Sequence, residues 1–144
     1  MADKLYFSMS ELIHSDIAVK YNINNMPDIS HLDSMLDLIY YVLQPTRLHF
    51  GTVIVSGGYR SYALWNKLKQ LGYNPAKNSQ HLRGQAADII VPSRNLKDVF
   101  KWMRDNLEYD QLLYEYNSKG DIWIHVSFNK GKNRKQVIDN YKAA

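Results

Sequence analysis

The sequence predicts an α+β fold, a central antiparallel sheet with helices packed on one of its sides. Three observations lead there. Leu32, Met35, Leu36, Ile39, Tyr40 and Leu43 recur at helical spacing and make a wide apolar face. Ile122, Ile124, Val126 and Phe128 alternate instead, as a strand with one buried face requires. Short apolar runs bounded by Gly, Asn or Asp, among them QAADIIV, lie between the helical segments.

Taken in order, the first helix starts at Ser8, where Ser8 and Glu11 have capping-box spacing ahead of Leu12, Ile13 and Ile17. YNINNMPDIS interrupts it. The second helix runs from about Ser30 and is expected to end at Pro45. TVIVSGGYRS reads as a strand, Thr52 to Val55, closing in a glycine turn. A helix over about 61–71 and a polar loop through Asn74, Pro75, Lys77 and Asn78 follow. QAADIIV is the next strand, and Asn95 caps a helix whose inner face is Val99, Phe100, Met103 and Leu107. QLLYEY and DIWIHVSF then form a hairpin across NSKG.

A chain of 144 residues suits one domain, here 1–144, with a core that needs no staples. It has no cysteine, so any zinc would be held by His and carboxylates. No apolar run is long enough for a membrane span, and MADKLYFSMSEL lacks the apolar core of a secretory signal. The expectation is a chain made in the cytoplasm without membrane insertion. Eighteen basic residues against fourteen acidic ones give a net charge of +4. Part of that excess is Lys130, Lys132, Arg134 and Lys135, read as a solvated basic tail over about 129–144. Nothing resembles a base-stacking motif or a basic recognition helix, so nucleic acid is not an expected partner.

Two stretches carry candidate chemistry. In SQHLRGQAADI, His81 and Asp88 flank small residues Gly84, Ala86 and Ala87, as metal ligands on either side of a turn would, or as an ordinary turn entering a strand would. In the hairpin, Asp121, Trp123, His125 and Ser127 share the face opposite the core. A three-residue loop Ser118-Lys119-Gly120 puts Gly at the left-handed bulge position. That register pairs Tyr116 with Ile122 and Glu115 with Trp123, leaving Glu115 diagonal to His125. A two- or four-residue loop would turn Glu115 toward the core, where an unpaired carboxylate is costly.

The succession SGGYRS, SQHLRGQAADI, WIHVS resembles the zinc D-alanyl-D-alanine carboxypeptidase family. That family includes phage and bacterial peptidoglycan peptidases and shares its metal fold with vancomycin-resistance dipeptidases and hedgehog domains. Ser79, His81, Gly84, Ala86 and Asp88 fit its Ser-x-His-x-x-Gly-x-Ala-x-Asp segment, and the likeness runs from about Phe7 to Phe128, LQPTRLHFG included. The resemblance implies that His81, Asp88 and His125 bind one zinc ion. The open fourth position would hold a water acidified to roughly pKa 7. It implies a general base, either Glu115 or, as in other relatives, Asp121 just before the third ligand. The loop between Glu115 and His125 is longer here than in most relatives. Arg60 matches the family arginine that faces the scissile carbonyl. Ser79 and Gln80 would contact substrate, Trp123 would wall the cleft, and the small residues would let the backbone pass close to the metal. His14, His31 and His49 are expected to bind nothing.

The implied function is hydrolysis of a peptidoglycan stem-peptide bond, as carboxypeptidase, endopeptidase or phage or prophage lysin acting on the wall. Two other classes are compatible with the composition: a non-catalytic zinc module that binds a partner, and a basic DNA-binding domain with a structural zinc. A binding module needs neither a base nor Arg60, and DNA binding would be steeply salt-dependent.

Overall fold

In the computed structural model, which describes residues 4–143, the N-terminal half is helical and the sheet is assembled mostly by the C-terminal half. The first three residues of the leader reading and Ala144 of the tail lie outside the described residues. Ser8 does open α1, Met9–Ile13, and both halves of the capping box with Glu11 form. After α2, Asp16–Lys20, comes α3, Ile29–Leu38.

Pro45 does not end this helix. A π-helical turn, Ile39–Leu43, leads directly into α4, Gln44–Phe50, and Pro45 sits in its first turn. The turn shifts the backbone bonding to i→i−5, so that the Gln44 N–H donates to the Ile39 carbonyl. The wider turn relieves the clash a proline ring otherwise makes with the carbonyl four residues back. The hydroxyl of Thr46 then donates to the Val42 carbonyl at 2.7 Å.

The remaining elements are β1 (Ile54–Gly57), α5 (Tyr62–Gln70), a 3₁₀ turn (Gln80–Arg83), β2 (Ala86–Ile90), α6 (Leu96–Asn106), β3 (Gln111–Tyr116), β4 (Ile122–Ser127) and β5 (Gln136–Lys142). Ser61 and Asn95 cap α5 and α6 through their side-chain oxygens. Sheet order is β1-β2-β4-β3-β5. The β1/β2, β2/β4 and β3/β4 pairs are antiparallel, but β5 runs parallel to β3, so the sheet is mixed rather than antiparallel throughout.

That edge strand is where a solvated tail was expected. The chain leaving β4 is turned by Asp110: its backbone carbonyl accepts from the Gln136 N–H at 2.9 Å and its carboxylate from the Arg134 N–H at 2.8 Å. Both bonds lie beside the start of β3, so the chain re-enters the sheet there and runs alongside it. The run Lys130 to Lys135 is therefore a loop joining two strands.

One sheet face is the core. Ala87, Ile89, Leu112, Ile124 and Val126 pack with Val99, Phe100 and Met103 of α6, and with Leu12, Met35, Leu38 and Val42 of the N-terminal helices. The alternation that buries these residues turns their sequence neighbours to the other face. Asp88, Leu113, Glu115 and His125 stand there.

Candidate active site

Three elements bring the polar groups of that face together. Asp88 and His125 are direct cross-strand partners of β2 and β4, and Leu113 of β3 is the partner of His125 on its other side. Glu115 pairs with Trp123 and Tyr116 with Ile122, the register expected from a Ser118-Lys119-Gly120 loop. Gly120 is left-handed at φ 87°. His81 arrives from the 3₁₀ turn, capped by the Ser79 hydroxyl, which accepts from the His81 N–H at 3.3 Å.

The three side chains converge. One candidate ligand atom each from His81, Asp88 and His125 lie within 4.8 Å of one another. His81 Nε2 is 3.5 Å from Asp88 Oδ2, and His125 Nδ1 is 3.1 Å from Asp88 Oδ1. His81 is buried, and its Nδ1 lies 2.8 Å from the Gly58 carbonyl oxygen. A carbonyl only accepts, so Nδ1 carries the proton and the Nε2 lone pair faces the cluster, the arrangement a metal ligand needs. Burial opposes the charge of Asp88, but the His81 and His125 rings hold its carboxyl well below the usual carboxylate range. Two imidazoles and one anionic carboxylate, convergent and cysteine-free, are a donor set that fits a divalent ion of the zinc type.

Glu115 Oε1 is 3.9 Å from His125 Nδ1. Burial, and then the nearby charge of Asp88, push its carboxyl up to about 7, with His125 opposing the rise. Asp121 is placed elsewhere. It is exposed and tied into the hairpin turn, its carboxylate accepting from Asn117 Nδ2 and its N–H donating to Asn117 Oδ1, both at 3.0 Å.

Arg60 donates its backbone N–H to the His81 carbonyl at 2.9 Å and lines the cleft in front of the cluster. Its guanidinium has no ion-pair partner among the described residues; burial draws its pKa down while Asp88 acts in the opposite direction. Trp123 does not wall that cleft. It stands across from Glu115, partly buried, and its Nε1–H has no hydrogen-bond acceptor among the described residues.

Of the small residues, Gly84 has a different purpose from the one expected. Gly84 ends the 3₁₀ turn at φ 71°, and a Cβ there would lie 2.7 Å from the His31 carbonyl and from Met35 Cγ. It is α3, not the cluster of His81, Asp88 and His125, that comes close. Gly58 is dictated by α1, since a Cβ would sit 2.1 Å from the Leu12 carbonyl oxygen. Gly57, by contrast, leaves room for Asp88. His14 pairs with Asp16, His31 with the Tyr59 hydroxyl, and His49 stacks on Trp102, all away from the cluster.

The cleft has a volume of about 660 Å³, and the cluster forms part of its wall. It also contains residues that motif reading passed over: Arg83, Asp110, Lys132, Arg134 and Tyr141. Asp110 is a buried hub. Its carboxylate accepts from Arg134 Nε at 3.1 Å and Nη2 at 2.9 Å, and from Gln80 Nε2 at 2.9 Å. The amide expected to reach substrate, Gln80, is thus engaged within the protein. A lone aspartate before an apolar strand was the one sequence signal for this hub.

Comparison with known families adds a further finding. A family model described as Peptidase M15 matches residues 5–127, a span that contains Arg60, His81, Asp88, Glu115 and His125. No curated protein matches the chain significantly.

Proposed function

The chain belongs to the Peptidase M15 family, and from that premise we propose that it is a zinc metallopeptidase hydrolysing an amide bond in the peptidoglycan stem peptide. The observation that carries this reading is the convergence of His81, Asp88 and His125 in a cleft, with Glu115 beside them at 3.9 Å from His125. His81 Nε2, Asp88 and His125 Nδ1 would hold the ion, which when bound supplies Lewis acidity and a more acidic water.

The chain's own groups do the rest. Glu115, 3.9 Å from His125 and facing the same cleft, is placed to accept a proton from the attacking water. The same carboxyl then returns the proton to the departing amine, so that the proton count closes. Arg60 brings an uncompensated fixed charge to the cleft, suited to the carbonyl oxygen as it gains negative charge. Ser79 caps the 3₁₀ turn and thereby orients His81. Both a terminal D-Ala and an internal stem bond suit this chemistry, and a chain of charge +4 suits an anionic wall.

The base assignment is tested with two conservative variants. Glu115→Gln is expected to keep stoichiometric zinc while losing about 100-fold or more in turnover of muropeptides. Asp121→Asn is expected to stay within about threefold of the parent, because a residue held in the turn takes no part in proton transfer. Full turnover in Glu115→Gln with zinc bound would remove Glu115 from the mechanism.

A further inference from the structure

The loop that follows β4 lies beyond the family-matched residues, yet it forms part of the cleft wall through Asn129, Lys132 and Arg134. Charge in this cleft is unbalanced. Its carboxylates are Asp88, Asp110 and Glu115. Asp88 stands in the metal cluster, Asp110 is neutralised by Arg134, and Glu115 is the base of the mechanism. Opposite them are Arg60, Arg83 and Lys132, none of which has an ion-pair partner among the described residues. With Arg60 assigned to the reacting carbonyl, Arg83 and Lys132 remain as cations without a counter-charge.

Both are held by a common scaffold. Arg83 Nε donates to Gln85 Oε1 at 3.2 Å, and the same oxygen accepts from Gln80 Nε2 at 3.3 Å. Gln80 Nε2 also donates to Asp110 Oδ2, which binds Arg134 Nη2. One run of hydrogen bonds therefore joins the turn that carries His81 to the loop that carries Lys132. The loop is closed by its own bonds, Lys132 N–H to the Asn129 carbonyl and Asn129 N–H to Asn133 Oδ1, each 2.8 Å.

We propose that Arg83 and Lys132 form a carboxylate-binding subsite of this cleft, through which the loop after β4 selects peptides with a free carboxylate near the cleaved bond. This rests on the stem-peptide reading above. The Arg83 guanidinium, held at Nε and Nη1, keeps Nη2 unused, and with the exposed Lys132 ammonium on the wall of the same cleft it suits a carboxylate, which can accept two donors at once. Asp110 and Arg134 act as positioning residues, since they set where the loop lies rather than meeting the ligand.

The test is equilibrium binding of matched synthetic peptides to the zinc-loaded full chain carrying Glu115→Gln, which slows turnover. The probes are L-Ala-γ-D-Glu-L-Lys-D-Ala-D-Ala as free acid, with the glutamyl α-carboxyl amidated, and with the C-terminus amidated. At one of these two positions amidation is expected to weaken binding about tenfold. Adding Lys132→Gln or Arg83→Gln should shrink that ratio below about twofold, and Lys132→Arg should preserve it. Circular dichroism on each variant separates loss of fold from loss of discrimination. Equal affinity for all three peptides, or discrimination that survives both Gln variants, would overturn the subsite. Zinc-dependent muropeptide hydrolysis alongside equal affinities would leave the stem-peptide reading standing. Carboxylate-dependent binding without any hydrolysis by the parent chain would sink that reading and keep the subsite.

Discussion

At the scale of single residues, the site depends on which side of a proton each group sits. His81 is committed by the Gly58 carbonyl to presenting Nε2, and Asp88 stays anionic among imidazoles. Replacing His81 or His125 with Ala removes one of the three candidate ligands, and each variant is expected to lose stoichiometric zinc after dialysis, read by metal analysis. Glu115 carries a cost instead. Its carboxyl moves from the ordinary 4.5 to about 7 on folding. Between those values the folded chain keeps a proton that the unfolded chain has released, so metal-free stability falls as pH rises through that window. Glu115→Gln removes the cost, and the variant should melt about 3 °C or more above the parent at pH 8 in chelator, with the difference vanishing near pH 4. An equal difference at both pH values would mean that burial of the Glu115 charge is not its source.

At the scale of elements, the caps and the hairpin were legible because they are local. Ser8, Ser61 and Asn95 accept from their own first turns, and the Gly120 loop sets which residues of β3 and β4 face each other. What escaped has no local signal. The π-helical turn that accommodates Pro45 does not alter the apolar stripe, and β5 is too exposed along its length to show alternation. The glycines of the site are explained only by their neighbours in space. Gly58→Ala drives a Cβ into the Leu12 carbonyl and should destabilise by about 3 kcal/mol or more, whereas Gly120→Ala, left-handed but with nothing within 4 Å, should cost about 1–2 kcal/mol. Denaturant midpoints of the two variants provide the comparison, and equal losses would contradict the role given to α1.

At the scale of the molecule, the fold divides its labour between two sheet faces. One packs against helices and the other gathers His81, Asp88, Glu115 and His125 from segments far apart in sequence. The candidate ligands were legible because their spacing repeats a family pattern. The Asp110 hub was not, because it joins Gln80, Asp110 and Arg134 across distances that only the folded chain closes. Among the described residues no helix is long and apolar enough to cross a membrane. The central claim is metal-dependent hydrolysis of stem peptides in this cleft. Its most direct test is mass spectrometry of purified peptidoglycan incubated with the zinc-loaded chain, with and without chelator. The account predicts new fragments that chelation abolishes and zinc restores, their masses naming the bond. An unchanged muropeptide profile across several wall chemotypes would contradict it.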